Sequence, residues 1–163
     1  MSRKGITDKT RVVHRHLRLG WVLLLVFLSL GIILETLHAF KVDLYMNTEN
    51  KTRRLLWTLA HAHGTLLAII HIGFAATLRI LPRENPKLQS AGSRCLTAAS
   101  ILMPLGFFLG GVSFYSGDPG LGTLLLPIGA VLLLMAVLRT ALAMKDLGEP
   151  AGNEEEGNQG STH

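Results

Sequence analysis

Residues 55–81 of the chain are LLWTLAHAHGTLLAIIHIGFAATLRIL. This segment is longer than the roughly 20 apolar residues that an α-helix needs to cross a bilayer. It also carries three histidines, His61, His63 and His71. Titratable side chains are costly inside a membrane, so we expect them to be satisfied by polar neighbours or by a bound ligand. The segment therefore predicts a transmembrane helix that also carries a candidate site.

The rest of the chain has the composition of a membrane protein. Of its 163 residues 48% are hydrophobic, and they are concentrated in four long blocks. A soluble protein would interrupt such blocks with charges at helical or strand spacing. The blocks predict an all-α integral membrane protein, a four-helix transmembrane bundle with helices at about 19–40, 55–81, 91–115 and 121–143.

The segments outside the blocks define the predicted domain organisation. A basic N-terminal segment, 1–18, precedes the transmembrane domain at 19–145, and a tail follows at 146–163. The tail is acidic, polar and glycine-rich, a composition that predicts disorder. In the third block, Gly106 and Gly110 have the small-xxx-small spacing that lets a neighbouring helix approach closely.

The distribution of basic residues predicts the orientation. Twelve of the sixteen lysines and arginines lie on the side of the N-terminus, the second loop and the tail. The positive-inside rule then places both termini in the cytoplasm, N-in/C-in, and we expect a multi-pass protein of the bacterial inner membrane. Because the basic residues flank apolar blocks, the expected partner of this net +5 chain is the lipid bilayer, and no nucleic acid is expected.

Four polar side chains are predicted to lie at a similar depth in the outer leaflet. With antiparallel first and second helices, Glu35 lies about 7–8 Å below the outer surface, and His61 and His63 lie about 9–12 Å below it. His38 lies slightly above them, on the same helix face as Glu35. Neutral imidazoles without thiolates suit copper, haem iron or zinc. We therefore treat Glu35, His38, His61 and His63 as candidate metal ligands, and His61 and His63 as candidate cofactor ligands.

The spacing of the two central histidines limits this hypothesis. Positions i and i+2 are about 200° apart on a helix, so His61 and His63 are not expected to bind one ion without distortion. His61 shares its face with small residues that suit close packing, whereas His63 is predicted to point to lipid or a partner. Such a pair can serve two centres on opposite sides of one helix.

The tetrapeptide Ala60-His61-Ala62-His63 resembles the Ala-His-x-His of the haem-bearing helix in subunit I of haem–copper oxidases. It is also similar to the His-Ala-His that opens a helix in NnrS-like membrane haem/copper proteins. The resemblance implies that His61 or His63 is a haem or copper ligand.

The remaining histidines are interpreted without a ligand. His71 lies in the inner half of the second helix, where no histidine or acid is predicted at the same depth on another helix, so we interpret it as a neutral, hydrogen-bonded core residue. His14 and His16 lie among arginines before the first predicted span and are interpreted as part of a solvated, lipid-facing segment.

Two main function classes remain open. The first is a redox or metal-handling protein, associated with electron transport, that binds haem b or copper near the outer face, with Glu35 as a partner that orients an imidazole or relays a proton. The second is a non-catalytic accessory or scaffold subunit, without a cofactor, in a complex with other membrane subunits or in a homo-oligomer. Proton conduction along Glu35 and His61 is a third hypothesis, but no acid continues the path inward. No catalytic residues are assigned, and whether the protein is an enzyme stays open.

Overall fold

A computed structural model describes residues 3–46, 51–81, 88–112 and 118–145, and helices dominate these parts of the chain. A π-helical turn, Leu88–Gly92, leads into the fourth helix, and a 3-10 turn, Leu121–Leu124, leads into the fifth. The predicted disordered tail lies outside the described residues. The helices are α1 (Arg3–Ala39), α2 (Asp43–Met46), α3 (Thr52–Ile80), α4 (Ser93–Val112) and α5 (Leu125–Lys145).

Four of these helices are long and apolar enough to cross a membrane, which confirms the all-helical prediction with four candidate spans. Their outward faces carry large apolar side chains such as Leu25 and Ile32, each 69% exposed, and Leu134, 66% exposed. Continuous apolar surface of this kind is rare on soluble monomers. A helix, which satisfies its own backbone hydrogen bonds, is one of the two structures that can present such a surface to lipid.

The long helices pack in chain order, with α3 and α4 in the centre. Helix α1 packs on α3, α3 on α4, and α4 on α5, whereas α1 and α5 have little contact with each other in the described parts. In the most apolar part of each span, 33% and 44% of the residues of α3 and α4 are buried, against 11% in α1 and α5. The bundle is therefore open, and α1 and α5 form its flanks.

Helix α1 begins at Arg3, well before the predicted boundary at residue 19. The earlier start has an amphipathic cause. On one face Val13 and His16 are buried, and Val12 and Leu17 beside them are half-buried. Residues at this spacing form one stripe of a helix. The stripe packs toward α3, so the segment before residue 19 continues the helix as part of the fold.

A left-handed residue ends α1 and positions α2. Lys41 has φ 51°, and the amide of Val42 donates to the carbonyl of Leu37 at 3.0 Å. These are the features of a Schellman cap, here without glycine. The chain then turns into α2, where Tyr45 is buried and hydrogen-bonded to Thr58 of α3, with 3.2 Å between the two hydroxyl oxygens.

The prediction of close packing at Gly106 and Gly110 is confirmed. A Cβ added to Gly106 would lie 3.1 Å from the carbonyl oxygen of Gly122. The carbonyl of Gly110 accepts a hydrogen bond from the amide of Gly120 at 3.0 Å. Small residues thus bring α4 into backbone contact with the segment that leads into α5.

Candidate functional site: an outer groove and an inner histidine chain

A groove of about 600 Å³ opens between α1, α2 and α3 near the end of α1. Its volume lies within the range of roughly 300–1,000 Å³ that is usual for small-molecule and cofactor sites. The walls are mostly apolar, and several of the lining residues belong to the exposed apolar faces. The outer groove is lined by Leu28, Gly31, Ile32, Leu34, Glu35, Thr36, Ala39, Phe40, Tyr45, Thr58 and His61.

His61 is held by two features of α1. Its Nδ1–H donates to the carbonyl oxygen of Phe27 at 2.7 Å, and its ring lies against Gly31, where a Cβ would be only 2.5 Å from Cε1. Because a carbonyl can only accept, the proton is on Nδ1 and Nε2 carries the lone pair. Within the described residues Nε2 has no hydrogen-bond partner, and the atom is not buried. The nitrogen that would bind a metal is therefore accessible.

Glu35 borders the same groove as His61. It follows Gly31 by four residues, so it lies about 6 Å further along α1 than the glycine under the His61 ring. Its side chain is exposed and has no hydrogen-bond or ion-pair partner in the described part of the chain. The groove thus brings together a carboxyl group and an imidazole nitrogen, both without partners.

His63 lies on the opposite side of α3. Its Nδ1–H donates to the carbonyl of Leu59, one turn back, at 2.9 Å. Its ring packs on Phe107 of α4, with 4.6 Å between the ring centroids. The structure therefore does not bring His61 and His63 together. The expectation that His63 faces lipid or a partner is wrong, since it contacts α4.

The side chain of His38 is exposed and is not part of the groove lining. Among the described residues, no group of three or more His, Cys, Asp or Glu side chains is arranged to hold a metal ion. Of the four candidates in the predicted layer, only Glu35 and His61 share a site.

A second polar cluster joins α1, α3 and α4 toward the other end of the bundle. His16 and His71, both fully buried, face each other with 2.6 Å between their Nδ1 atoms. The outer nitrogens reach α4: Nε2 of His16 is 2.6 Å from Ser93 Oγ, and Nε2 of His71 is 3.1 Å from Ser100 Oγ. We call Arg15, Ser93, His16, His71 and Ser100 the inner histidine chain, since Arg15 also donates to the Ser93 hydroxyl.

The two imidazoles meet edge to edge. Their centroids are 4.8 Å apart, 2.2 Å more than the separation of their Nδ1 atoms, and the planes differ by 24°. That difference is close to twice the distance from the centre of an imidazole to a ring atom, so both nitrogens lie near the line between the centroids. The lone pair of one Nδ1 therefore points at the N–H of the other, the geometry of a strong hydrogen bond.

The ends of the inner histidine chain fix the direction of every hydrogen bond. Arg15 can only donate, so Ser93 accepts from it. At the other end the Ser100 hydroxyl donates to the carbonyl of Thr97 at 2.8 Å. Because Ser100 has a single hydroxyl proton, it must accept from His71. The pattern that satisfies every bond then has Ser93 donating to His16 Nε2, and His16 Nδ1–H donating to His71.

Two interpretations from the sequence are corrected here. His16 was expected in a solvated segment, but its exposure is 0% because α1 starts early enough to bury it. His71 was expected to have no histidine at its depth, yet His16 is in contact with it. Its interpretation as a buried, hydrogen-bonded core residue is confirmed. The signal that could have found the pair is the apolar face of Val13, His16 and Leu17, which continues into the first block.

Comparisons with protein-family models, with curated proteins and with solved structures give no match for this chain.

Proposed function

We propose that this is a redox-associated membrane protein that would hold haem b in the outer groove, with His61 Nε2 as the protein ligand of the iron. The observation that carries the proposal is the state of His61, whose Nδ1 is fixed by the Phe27 carbonyl while Nε2 borders a groove of about 600 Å³. Metal-binding histidines usually donate their other ring N–H to a carbonyl or carboxylate, which sets the tautomer and the ring orientation. The apolar walls suit a planar, hydrophobic group.

The ligand geometry favours haem over copper in this groove. A haem supplies four ligands of its own and needs one protein nitrogen, and His61 offers one. A copper ion held by protein alone needs further ligands, and besides His61 the groove lining contains one carboxyl group, that of Glu35. His63 and His38 would reach such an ion only from a second copy or another subunit. His63 has the same tautomer as His61, and its ring packs on Phe107. It is the candidate ligand for a second metal or haem on the side of α3 that faces α4.

Glu35 would act as a proton-exchanging neighbour of the bound group. A carboxyl group inside the hydrocarbon region is expensive when charged and unpaired. Glu35 lies one helical turn from Gly31, the residue against which the His61 ring packs. Its carboxyl group is therefore positioned to accept a proton or a hydrogen bond from a molecule bound in the groove. When bound, the haem would supply one-electron chemistry, and the chain would supply its orientation and the nearby carboxyl group.

The same proposal includes the membrane orientation. With both termini in the cytoplasm, the groove lies in the outer half of a bacterial inner membrane, and the inner histidine chain lies in the inner half. The support is the excess of lysine and arginine on the N-terminal side of the spans.

A second candidate function is favoured by a different observation. In the inner histidine chain every ring nitrogen of both imidazoles is hydrogen-bonded, and these bonds tie three helices together, which is what a rigid scaffold needs. Helices α1 and α5 also leave long apolar faces uncovered. A non-catalytic accessory subunit would use these faces against other membrane subunits or a second copy.

The test is the visible spectrum and the metal content of the purified protein in detergent. We expect a Soret band from the unchanged protein, and its loss in His61→Ala. His63→Ala is the matched control, because it removes the same ring two residues away on the other side of α3, and it should retain the band of the groove haem.

A colourless, metal-free protein that co-purifies with other membrane subunits would support the accessory function instead. Stoichiometric copper without a Soret band would exclude haem b, and loss of that copper in His61→Ala would move the proposal to a copper site completed by another chain.

A further inference from the structure

We propose that the N-terminal half of α1 forms a binding site for the headgroup of an anionic phospholipid, independent of any cofactor in the outer groove. Four basic residues follow each other at positions i, i+3, i+4 and i+7, so they share one face of the helix. All four are exposed: Arg11, His14, Arg15 and Arg18. We call this set the basic stripe.

Except for the Arg15 guanidinium, which reaches Ser93 of α4, the basic stripe lies on the side of α1 that faces away from the protein. The residues that pack toward α3, among them Val13, His16 and Gly20, lie on the opposite side of the helix. The stripe is thus presented to the surroundings on a rigid element that is continuous with the transmembrane span. It is not a flexible tail that could fold back on the bundle.

The same face continues directly into an apolar surface. After Arg18 come Trp21, Val22 and Leu25, which are 61%, 50% and 69% exposed. Leu25 follows Arg18 by seven residues, or about 10 Å along the helix. A lipid lying along this face would place its acyl chains on Val22 and Leu25 and its phosphate at the arginines. Trp21 has the amphipathic ring that is enriched at the headgroup level.

Within the described residues, the charges of the basic stripe are largely left without acidic partners. Arg11 has one acidic neighbour, Asp8, at 3.7 Å, in a pair whose side chains are 81% and 56% exposed. Such exposed pairs contribute little. Arg18 has no partner within the described residues. Like charges one turn apart repel each other, and an anionic headgroup would relieve that repulsion.

Arg15 links the lipid site to the interior. Its guanidinium donates to Ser93 Oγ, and Ser93 in turn contacts His16. A guanidinium has five N–H donors, so one contact with Ser93 leaves others for a phosphate. A bound headgroup would therefore hold Arg15 in the position that completes the inner histidine chain.

The experiment measures the quenching of Trp21 fluorescence by brominated lipids. The chain has two tryptophans, so every variant carries Trp57→Phe to leave Trp21 as the reporter. The protein is reconstituted in phosphatidylcholine containing equal fractions of brominated phosphatidylglycerol or brominated phosphatidylcholine. The anionic lipid should quench Trp21 more strongly, and this preference should weaken with salt.

The decisive variant is Arg11→Gln/Arg18→Gln, which leaves Arg15 and its contact with Ser93 in place. It should reduce the preference for anionic lipid by roughly five-fold for each arginine removed. Arg139→Gln is the matched control, because Arg139 is a half-buried arginine in the last two turns of α5, outside the basic stripe. Equal quenching by both lipids in the unchanged protein would overturn the proposal. So would a preference that survives in the double variant, or one that Arg139→Gln removes to the same extent.

Discussion

His71→Ala is expected to lower the free energy of unfolding by about 2–4 kcal/mol. The substitution removes a fully buried ring and leaves a cavity where α1, α3 and α4 meet. It also leaves the Nδ1–H of His16 without an acceptor and the hydroxyl of Ser100 without its donor. A buried polar group that loses its partner costs about 1–3 kcal/mol. Unfolding in mixed detergent micelles, monitored by circular dichroism, measures the change.

Two comparisons separate the hydrogen-bonded pair from simple packing. His63→Ala removes a half-buried ring whose hydrogen bond is local to α3, so we expect a clearly smaller loss. In a double-mutant cycle, His16→Ala in the His71→Ala background should cost less than it does alone, with a coupling of about 1–2 kcal/mol. Additive losses, or equal losses in His71→Ala and His63→Ala, would contradict the hydrogen-bonding pattern assigned to the pair.

The inner histidine chain explains how two histidines can be buried between long apolar helices with no acidic partner among the described residues. In the assigned pattern each imidazole is neutral, one protonated on Nδ1 and the other on Nε2, and every ring nitrogen has a partner. A neutral, fully bonded network avoids the cost of burying a charge, which is several kcal/mol per ion. The only charge in the network belongs to Arg15, whose side chain is exposed. The inner histidine chain therefore joins three helices, while its one charged group, the Arg15 guanidinium, stays at the surface.

The four spans could be predicted because their signal is carried by composition alone. A block of about 20 apolar residues is long enough to cross a bilayer whatever packs against it, and residues 55–81 satisfy this despite three histidines. The start of α1 could not be found in this way. Residues 11–18 are basic on one face and apolar on the other. A search for long apolar runs does not detect an amphipathic segment of this kind.

The outer groove was predictable only in part. Helical periodicity separates His61 from His63, and the structure places them on different sides of α3. Counting residues from the membrane surface brought Glu35 near His61, and both border one groove. The partner of His16 required the register between two helices. That register depends on close contacts at Gly20 and Gly64, which are properties of both helices together.

Gly64→Ala and Gly73→Ala should change stability in opposite directions, although both put one methyl group on α3. A Cβ at Gly64 would overlap the ring of Phe27, including Cγ, the atom nearest the α1 backbone. The ring has little freedom to move away, so helix α1 must shift, and overpacking of this kind costs about 1–3 kcal/mol. The shift would also draw the Phe27 carbonyl away from His61 Nδ1.

At Gly73 nothing lies within 4 Å of an added Cβ. There the substitution only removes the conformational freedom of glycine from the unfolded chain, which should stabilise the helix by about 0.5–1 kcal/mol. The same unfolding assay compares the two variants. The visible spectrum of the Gly64→Ala protein in detergent tests whether His61 keeps its position. Equal effects of the two substitutions would mean that α1 and α3 are not in close contact at Gly64. The His61 geometry, which depends on that contact, would then lose its basis, because Phe27 both packs on Gly64 and supplies the carbonyl that fixes the imidazole.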